Sequence, residues 1–199
     1  MMLPDGYSDV PDGKIAAIVT SLEMAAPAPA RPEAPDPRWR LYRNERPAPD
    51  WYRDLYRRVG ESWLWFSRLN LGDAALAAIL DDSAVEIYAL TVDDRPEGLL
   101  ELDYREPGMC ELAFFGVTPA LIGAGAGRWL MNRAIERAWS RPVRRFWVHT
   151  CSFDHPAALG FYIRSGFVPF RRQVEIADDP RLSGYAAGAA AHIPIIRPR

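Results

Sequence analysis

The chain has 199 residues, with 24 Lys or Arg against 26 Asp or Glu, for a formal net charge of -2 at pH 7. That balance lacks the basic footprint that nucleic acid or an anionic bilayer would require, so neither is expected as a partner. No apolar run is long enough to span a bilayer. The first residues, MMLPDGYSDVPDGK, lack the basic-then-apolar profile of a secretory leader, which makes a cytoplasmic location the expectation.

A chain of this length fits a single domain over 1–199 with a sizeable core. KIAAIVTSLEM, from Lys14 to Met24, is apolar and β-branched at its centre and reads as a strand. Residues 25–37, AAPAPARPEAPDP, are too rich in proline to enter a central sheet or continue a helix, so they form a connector. WRLYRNE, residues 39–45, alternates and reads as a second strand. The two strands are expected to pair with each other and join the sheet, as an N-terminal unit over 1–48. DWYRDLYRRVG, residues 50–60, places Trp51, Leu55, Tyr56 and Val59 on one face between an Asp N-cap and a Gly stop, which predicts a helix. The aromatic stretch WLWF, residues 63–66, leads to a short helix opened by Asp73.

From Ala84 the period changes. AVEIYALTV, LLELDYRE and MCELAFFGV are three strands separated by the turns DDRPEG and EPG, an antiparallel meander. In the next stretch, GVTPALIGAGAGRWLMNRAIERAW, glycines alternate at Gly123, Gly125 and Gly127. A helix over 125–139 then places Ala126, Leu130, Met131, Ala134, Ile135 and Ala138 on one face. The strand VRRFWVHT follows, then a helix within HPAALGFYIRSG with Pro156 in its first turn and Gly166 as its stop, then the strand FVPFRRQVEI. The tail, 177–199, carries no assignable element.

The alternating glycines raise a chemical question. A helix N-terminus exposes unpaired N–H groups and the positive end of the macrodipole. Glycines on the approach leave those donors bare, so a phosphate could rest on the backbone of Gly123, Ala124, Gly125, Ala126, Gly127 and Arg128, with Arg128 adding charge. The alternative is a small-residue turn in which glycine supplies positive φ. The preceding strand is antiparallel, which disfavours a dinucleotide-binding βαβ unit. The absence of GK[ST] excludes a P-loop. The two cysteines, Cys110 and Cys151, show no CxxC spacing, and His149, His155 and His192 form no ligand pattern with them, so reduced thiols and no metal are expected.

Two signatures in this order resemble the GNAT superfamily of N-acetyltransferases. Val117-Thr118-Pro119 ahead of Ile122-Gly123-Ala124-Gly125-Ala126-Gly127 is similar to a Val-x-Pro followed by Gln/Arg-x-x-Gly-x-Gly/Ala. The run from His155 to Tyr162, followed by Gly166-Phe167, is similar to Asn-x-x-Ala-x-x-x-Tyr and a Gly-Phe pair. The likeness is best over 84–176 and departs at Ile122 and His155, where the family carries Gln or Arg and Asn. The resemblance implies an α/β (α+β) fold. Its central sheet would be mixed, mostly antiparallel and splayed between two parallel strands, with flanking helices and the N-terminal strand pair as an addition.

The resemblance also implies acetyl-coenzyme A as cosubstrate and direct transfer to an amine of a small molecule or protein. By position, cofactor contacts fall on Ile122, the glycine loop and His155. Backbone donors for the thioester oxygen fall near Phe115 and Val117. The acid for the departing thiolate falls on Tyr162, whose alternative role is a core tyrosine. Glu111, on the strand that leads to the splay, is the candidate base; otherwise it is a solvent-facing residue or a partner of Arg105. Glu101 and Asp103 are its rivals, and His149 is a further option as base or substrate ligand. An acyl-enzyme on Cys151 is disfavoured, because lone cysteines are usually buried and inert. The WLWF rings fill core or border the acceptor. A non-catalytic coenzyme A sensing module and a transferase of another acyl group remain alternatives, and a homodimer is a further expectation. The acceptor itself does not follow from a fold resemblance.

Overall fold

The computed structural model describes residues 5–184 and 188–198. Residues 1–4, read above as part of the N-terminal stretch, and 185–187 and 199 of the tail lie outside the described residues. The strands are β1 (Lys14–Met24), β2 (Trp39–Asn44), β3 (Val85–Val92), β4 (Arg95–Asp103), β5 (Met109–Val117), β6 (Arg145–Cys151) and β7 (Val168–Asp178). The helices are α1 (Pro49–Gly60), α2 (Asp73–Leu80), α3 (Ala126–Ala138) and α4 (Ala158–Arg164). One sheet runs β2-β3-β4-β5-β6-β1-β7. Among the described residues its pairings are antiparallel except β5 with β6, which is parallel. This is the mixed, helix-flanked sheet that the resemblance implied.

The N-terminal strands depart from expectation. Both join the sheet, but not as a pair. β1 lies between β6 and β7, antiparallel to both, while β2 pairs with β3 at the opposite edge. The connector makes this separation feasible. Crossing five strand spacings takes about 24 Å, and extended proline-rich chain covers ~3.1 Å per residue, so residues 25–38 have length to spare. Pairing was decided by which edges remained open: β6 needs a partner on the side away from β5, and β1 supplies it.

Each sheet face buries its own helices through stripes of period 3.6. On one face Leu130, Met131 and Ala134 of α3 pack with Leu22, Leu100, Leu102 and Leu112. On the other, Tyr52, Leu55, Tyr56 and Val59 of α1, with Leu76 and Leu80 of α2, pack on Ile87, Ala89 and Leu99. Local signals were displaced by a residue or two. α1 opens at Pro49 with Ala48 at the cap position, so Asp50 sits in the first turn and not at the cap. Gly60 does not stop that helix: it is its last residue, and an added Cβ would fall 2.2 Å from the Trp65 ring. Pro156 precedes α4 instead of lying in its first turn.

The tail is organised. After β7, a 3-10 turn spans Pro180–Ser183, and Asp179 and Arg181 form an ion pair at 2.7 Å with both side chains 2% exposed. Gly13 N–H donates to Ile196 O at 2.7 Å, and Ala189 packs with Ile15 and Leu64. No helix among the described residues is long and apolar enough to cross a membrane.

Candidate active site

The site begins where two parallel strands part. β5 and β6 pair from Met109 opposite Arg145 to Glu111 opposite Trp147, and no further. A bulge sets Ala113 as an extra residue against β4, because Glu101 faces Phe114 while Leu102 faces Leu112. Bulges bend a strand and end its pairing on one side. Beyond Glu111 the β5 edge therefore lacks a strand partner toward β6. A cavity of about 890 Å³ occupies the gap, lined by the glycine loop, Phe115, Val117, Tyr162, Glu111 and His149.

At one end, Gly123 and Gly125 have φ of 83° and 89°, and Gly125 is the N-cap of α3. An added Cβ at either would meet nothing within 4 Å, and at Gly127 only Phe161, at 4.0 Å. The loop geometry is compatible with both readings. The turn needs glycine for its conformation, and the missing side chains leave open space before the first N–H groups of α3. Ile122, 46% exposed, and Arg128 also line the cavity. Ala124 and Ala126 do not, and the Ala126 methyl is buried in the core, so these two offer backbone only.

Phe115 stacks on Phe161 with centroids 5.7 Å apart and meets Tyr162 edge-on at 6.3 Å. Tyr162 is 7% exposed and lines the cavity, and among the described residues nothing hydrogen-bonds its hydroxyl. Burial pushes its phenol well above the ordinary range, and the nearby Asp154 charge adds to that. It is both a packed core residue and an unpartnered donor facing open space.

At the other end, Glu111 Oε1 lies 3.3 Å from His149 Nδ1. The hydrogen bond to Glu111 raises the His149 pKa; burial opposes it, and the charges of Glu111, Asp154 and Glu175 reinforce it. The rival acids are committed elsewhere. Glu101 is fully buried, accepts from Tyr52 Oη and pairs with Arg68 at 2.5 Å. Asp103 accepts a bidentate pair from Arg105; burial pushes its carboxyl up, but the Arg105 hydrogen bonds outweigh this and leave it below the usual range. Arg105 is thus the partner of Asp103 and not of Glu111. His155 lines the cavity, with Nδ1 accepting from Ala157 N–H at 3.0 Å and its ring 5.0 Å from Trp63. Burial, then the Asp154 charge, pushes the Cys151 thiol up to about 11, and burial pushes Cys110 up to about 12. Neither is an activated nucleophile. No group of three or more metal-ligating side chains occurs among the described residues.

A family model described as "Acetyltransferase (GNAT) family" matches residues 36–167, more than half of the chain. The chain belongs to the GNAT acetyltransferase family. Solved structures agree on the fold. A GNAT-family protein from Novosphingobium aromaticivorans is 18% identical with a TM-score of 0.55, over 86% of this chain and 70% of that one. A GCN5-related N-acetyltransferase from Kribbella flavida is 16% identical with a TM-score of 0.56, over 87% of this chain and 63% of that one. An aminoglycoside acetyltransferase from an uncultured soil metagenomic sample is 17% identical with a TM-score of 0.54, over 66% of this chain and 89% of that one. No curated protein matches the sequence.

Two parts of this GNAT site escaped the sequence reading. Asp154, in the turn after β6, accepts from Thr150 Oγ1 at 2.6 Å, Cys151 N–H at 2.9 Å and Trp65 Nε1 at 3.4 Å. It ties the WLWF loop to the splay and places its charge near both Tyr162 and His149. The second is Gly116, where a Cβ would fall 2.6 Å from Val59 Cγ1 and 3.4 Å from Trp65. Trp65 itself packs between Tyr56 and Phe114, and with Trp63 and Phe66 it also lines the cavity. The aromatic run thus both packs in the core and lines the cavity.

Proposed function

We propose that this chain is an N-acetyltransferase that moves an acetyl group from acetyl-coenzyme A directly to an amine. The observation that carries this is continuity: the bare glycine cradle, the unpaired β5 edge, the unpartnered Tyr162 hydroxyl and the Glu111–His149 pair share one cavity. The residues fit the cosubstrate, because a Cβ at Gly123 or Gly125 would intrude on the open space in front of the α3 donors. When bound, acetyl-coenzyme A supplies an acetyl group activated as a thioester.

The first N–H groups of α3 hold its pyrophosphate, and the free β5 edge near Phe115 and Val117 supplies donors for the carbonyl oxygen. An amine enters largely as ammonium. His149 takes its proton, and Glu111 orients the imidazole and raises its basicity. As the amine nitrogen bonds to the carbonyl carbon and the C–S bond breaks, Tyr162 delivers its proton to the leaving sulfur, and the nitrogen's second proton passes through solvent back to the Tyr162 phenolate, leaving a neutral amide. Burial keeps that phenol protonated until this step. Glu111, Asp154 and Glu175 surround His149 with negative charge, which favours a cationic acceptor. The walls of Trp63, Trp65 and Phe66 favour an apolar portion on it.

The test is calorimetric binding of acetyl-coenzyme A together with thiol release across a panel of amines. Expected are saturable binding, thiol release that depends on the amine, and loss of both in Gly125→Val. Tight binding with no release for any amine would instead support a coenzyme A sensing module.

A further inference from the structure

The connector between β1 and β2 lies along α3, clasped by its side chains. Arg31 N–H donates to Asn132 Oδ1 at 3.0 Å, and Asn132 Nδ2 donates to Arg31 O at 2.9 Å. Asn132 Nδ2 also donates to Glu33 Oε2 at 2.6 Å, and Arg133 pairs with Glu33. Arg128 Nη1 donates to Pro32 O at 2.9 Å. These bonds use the backbone of Arg31 and not its guanidinium, and Arg31 also lines the cavity that holds the glycine loop. Two more arginines line the same cavity, Arg128 from α3 and Arg164 from α4. Arg164 lies against Gly160, where a Cβ would come within 3.0 Å of its Nη1.

Among the described residues, none of Arg31, Arg128 and Arg164 has a carboxylate partner, whereas Arg53, Arg68, Arg105, Arg133 and Arg181 each do. They also repel one another: burial, then the charges of Arg128 and Arg164, lower the Arg31 pKa. Like charges held together without a counter-charge cost free energy, and a planar guanidinium fork is matched to phosphate oxygens. The backbone donors of α3 already suffice for a pyrophosphate. The three cations are an additional positive surface at the same mouth.

We infer that the proline-rich connector is a wall of the nucleotide site, and that Arg31, Arg128 and Arg164 together take a phosphomonoester dianion on the nucleotide end of the cosubstrate. The chain then discriminates coenzyme A from its 3′-dephospho form. This inference rests on the acetyl-coenzyme A reading above.

The experiment is calorimetric titration of the full chain, and of Arg31→Ala and Arg164→Ala, with coenzyme A and with 3′-dephospho-coenzyme A. A charge-assisted contact to phosphate is worth about ten-fold in affinity. The parent is expected to prefer coenzyme A by at least that factor. Each variant should lose about ten-fold for coenzyme A and nothing for the dephospho form. The Arg31 clasp uses backbone atoms, so the ligand-free unfolding midpoint of Arg31→Ala should match the parent. Equal affinity of the parent for both forms overturns this inference alone, as does equal weakening of both forms in the variants. A parent that binds neither form overturns the acetyl-coenzyme A reading and this inference with it.

Discussion

Tyr162 and His149 are the residues whose chemistry the fold alters most directly. Tyr162 is packed against Phe115, Phe161 and Phe167, yet its hydroxyl is spent on no internal bond. Removing the oxygen alone should therefore spare the fold. Tyr162→Phe is expected to bind acetyl-coenzyme A as the parent does and to lower the single-turnover rate by ~10²–10⁴. Stopped-flow thiol release checks this, because slow product release cannot mask the chemical step there. An unchanged rate would leave Tyr162 as packing only. The proposed base role of His149 requires the neutral imidazole, and Glu111 holds its pKa above the ordinary imidazole value. The rate should thus rise with pH through an inflection above ~6.5. Glu111→Gln removes the largest raising cause and leaves burial, which lowers, so the inflection should move down. The pH profile of kcat/KM reads this, and an unmoved inflection would detach Glu111 from the proton path. The same pair stabilises the fold fully below the unfolded imidazole value, and that contribution fades as pH rises through the folded one.

At the scale of elements, the contact that shapes one wall of the cavity is α1 and its following loop against β5. Gly116 lets Val59 and Trp65 close onto the strand just beyond the splay. Gly116→Ala should force them outward and destabilise the chain by ~1–3 kcal/mol, as overpacking does. Val59→Ala removes the atom in the way. The double variant should therefore be more stable than the sum of the two single effects in urea unfolding. Strict additivity would mean that the wedge is absorbed elsewhere. The glycine loop and α3 form the other shaping element, and their relation is local: a strand, a left-handed turn and a helix start follow one another in the chain. That is why the bare turn before α3 was legible from the spacing of three glycines, whereas Gly116 gave no sign, since the groups that crowd it lie on another element.

For the whole molecule, the position of β1 is decisive. It carries ladders to β6 and β7 at once, so deleting residues 1–24 would not trim an edge but open the sheet in its second half. The truncated chain is expected to lose cooperative unfolding and the tertiary signal in near-ultraviolet circular dichroism. A truncated chain with a parental melting transition would show that β6 and β7 re-pair without it. The connector has a similar reach, since it places β2 at one edge and β1 near the other while lining the cavity between.

The sequence by itself determined what local physics writes. The run from Met109 to Val117 was read as the strand it forms, the α3 stripe as the face that it buries, and the glycine loop as bare backbone before a helix. Alternation, helical periodicity and turn chemistry act over a few residues, so one stretch of chain carries them whole. The tertiary structure decided what depends on partners distant in sequence. It separated β1 from β2, because ladder pairing follows open edges and connector reach. Of the candidate acids it left Glu111 beside His149, because Arg68 and Arg105 satisfy the other two. It also brought Asp154 and Arg31 to a site that their local sequence does not mark, because a carboxylate in a turn or an arginine in a connector acquires meaning only from the groups the fold sets opposite it.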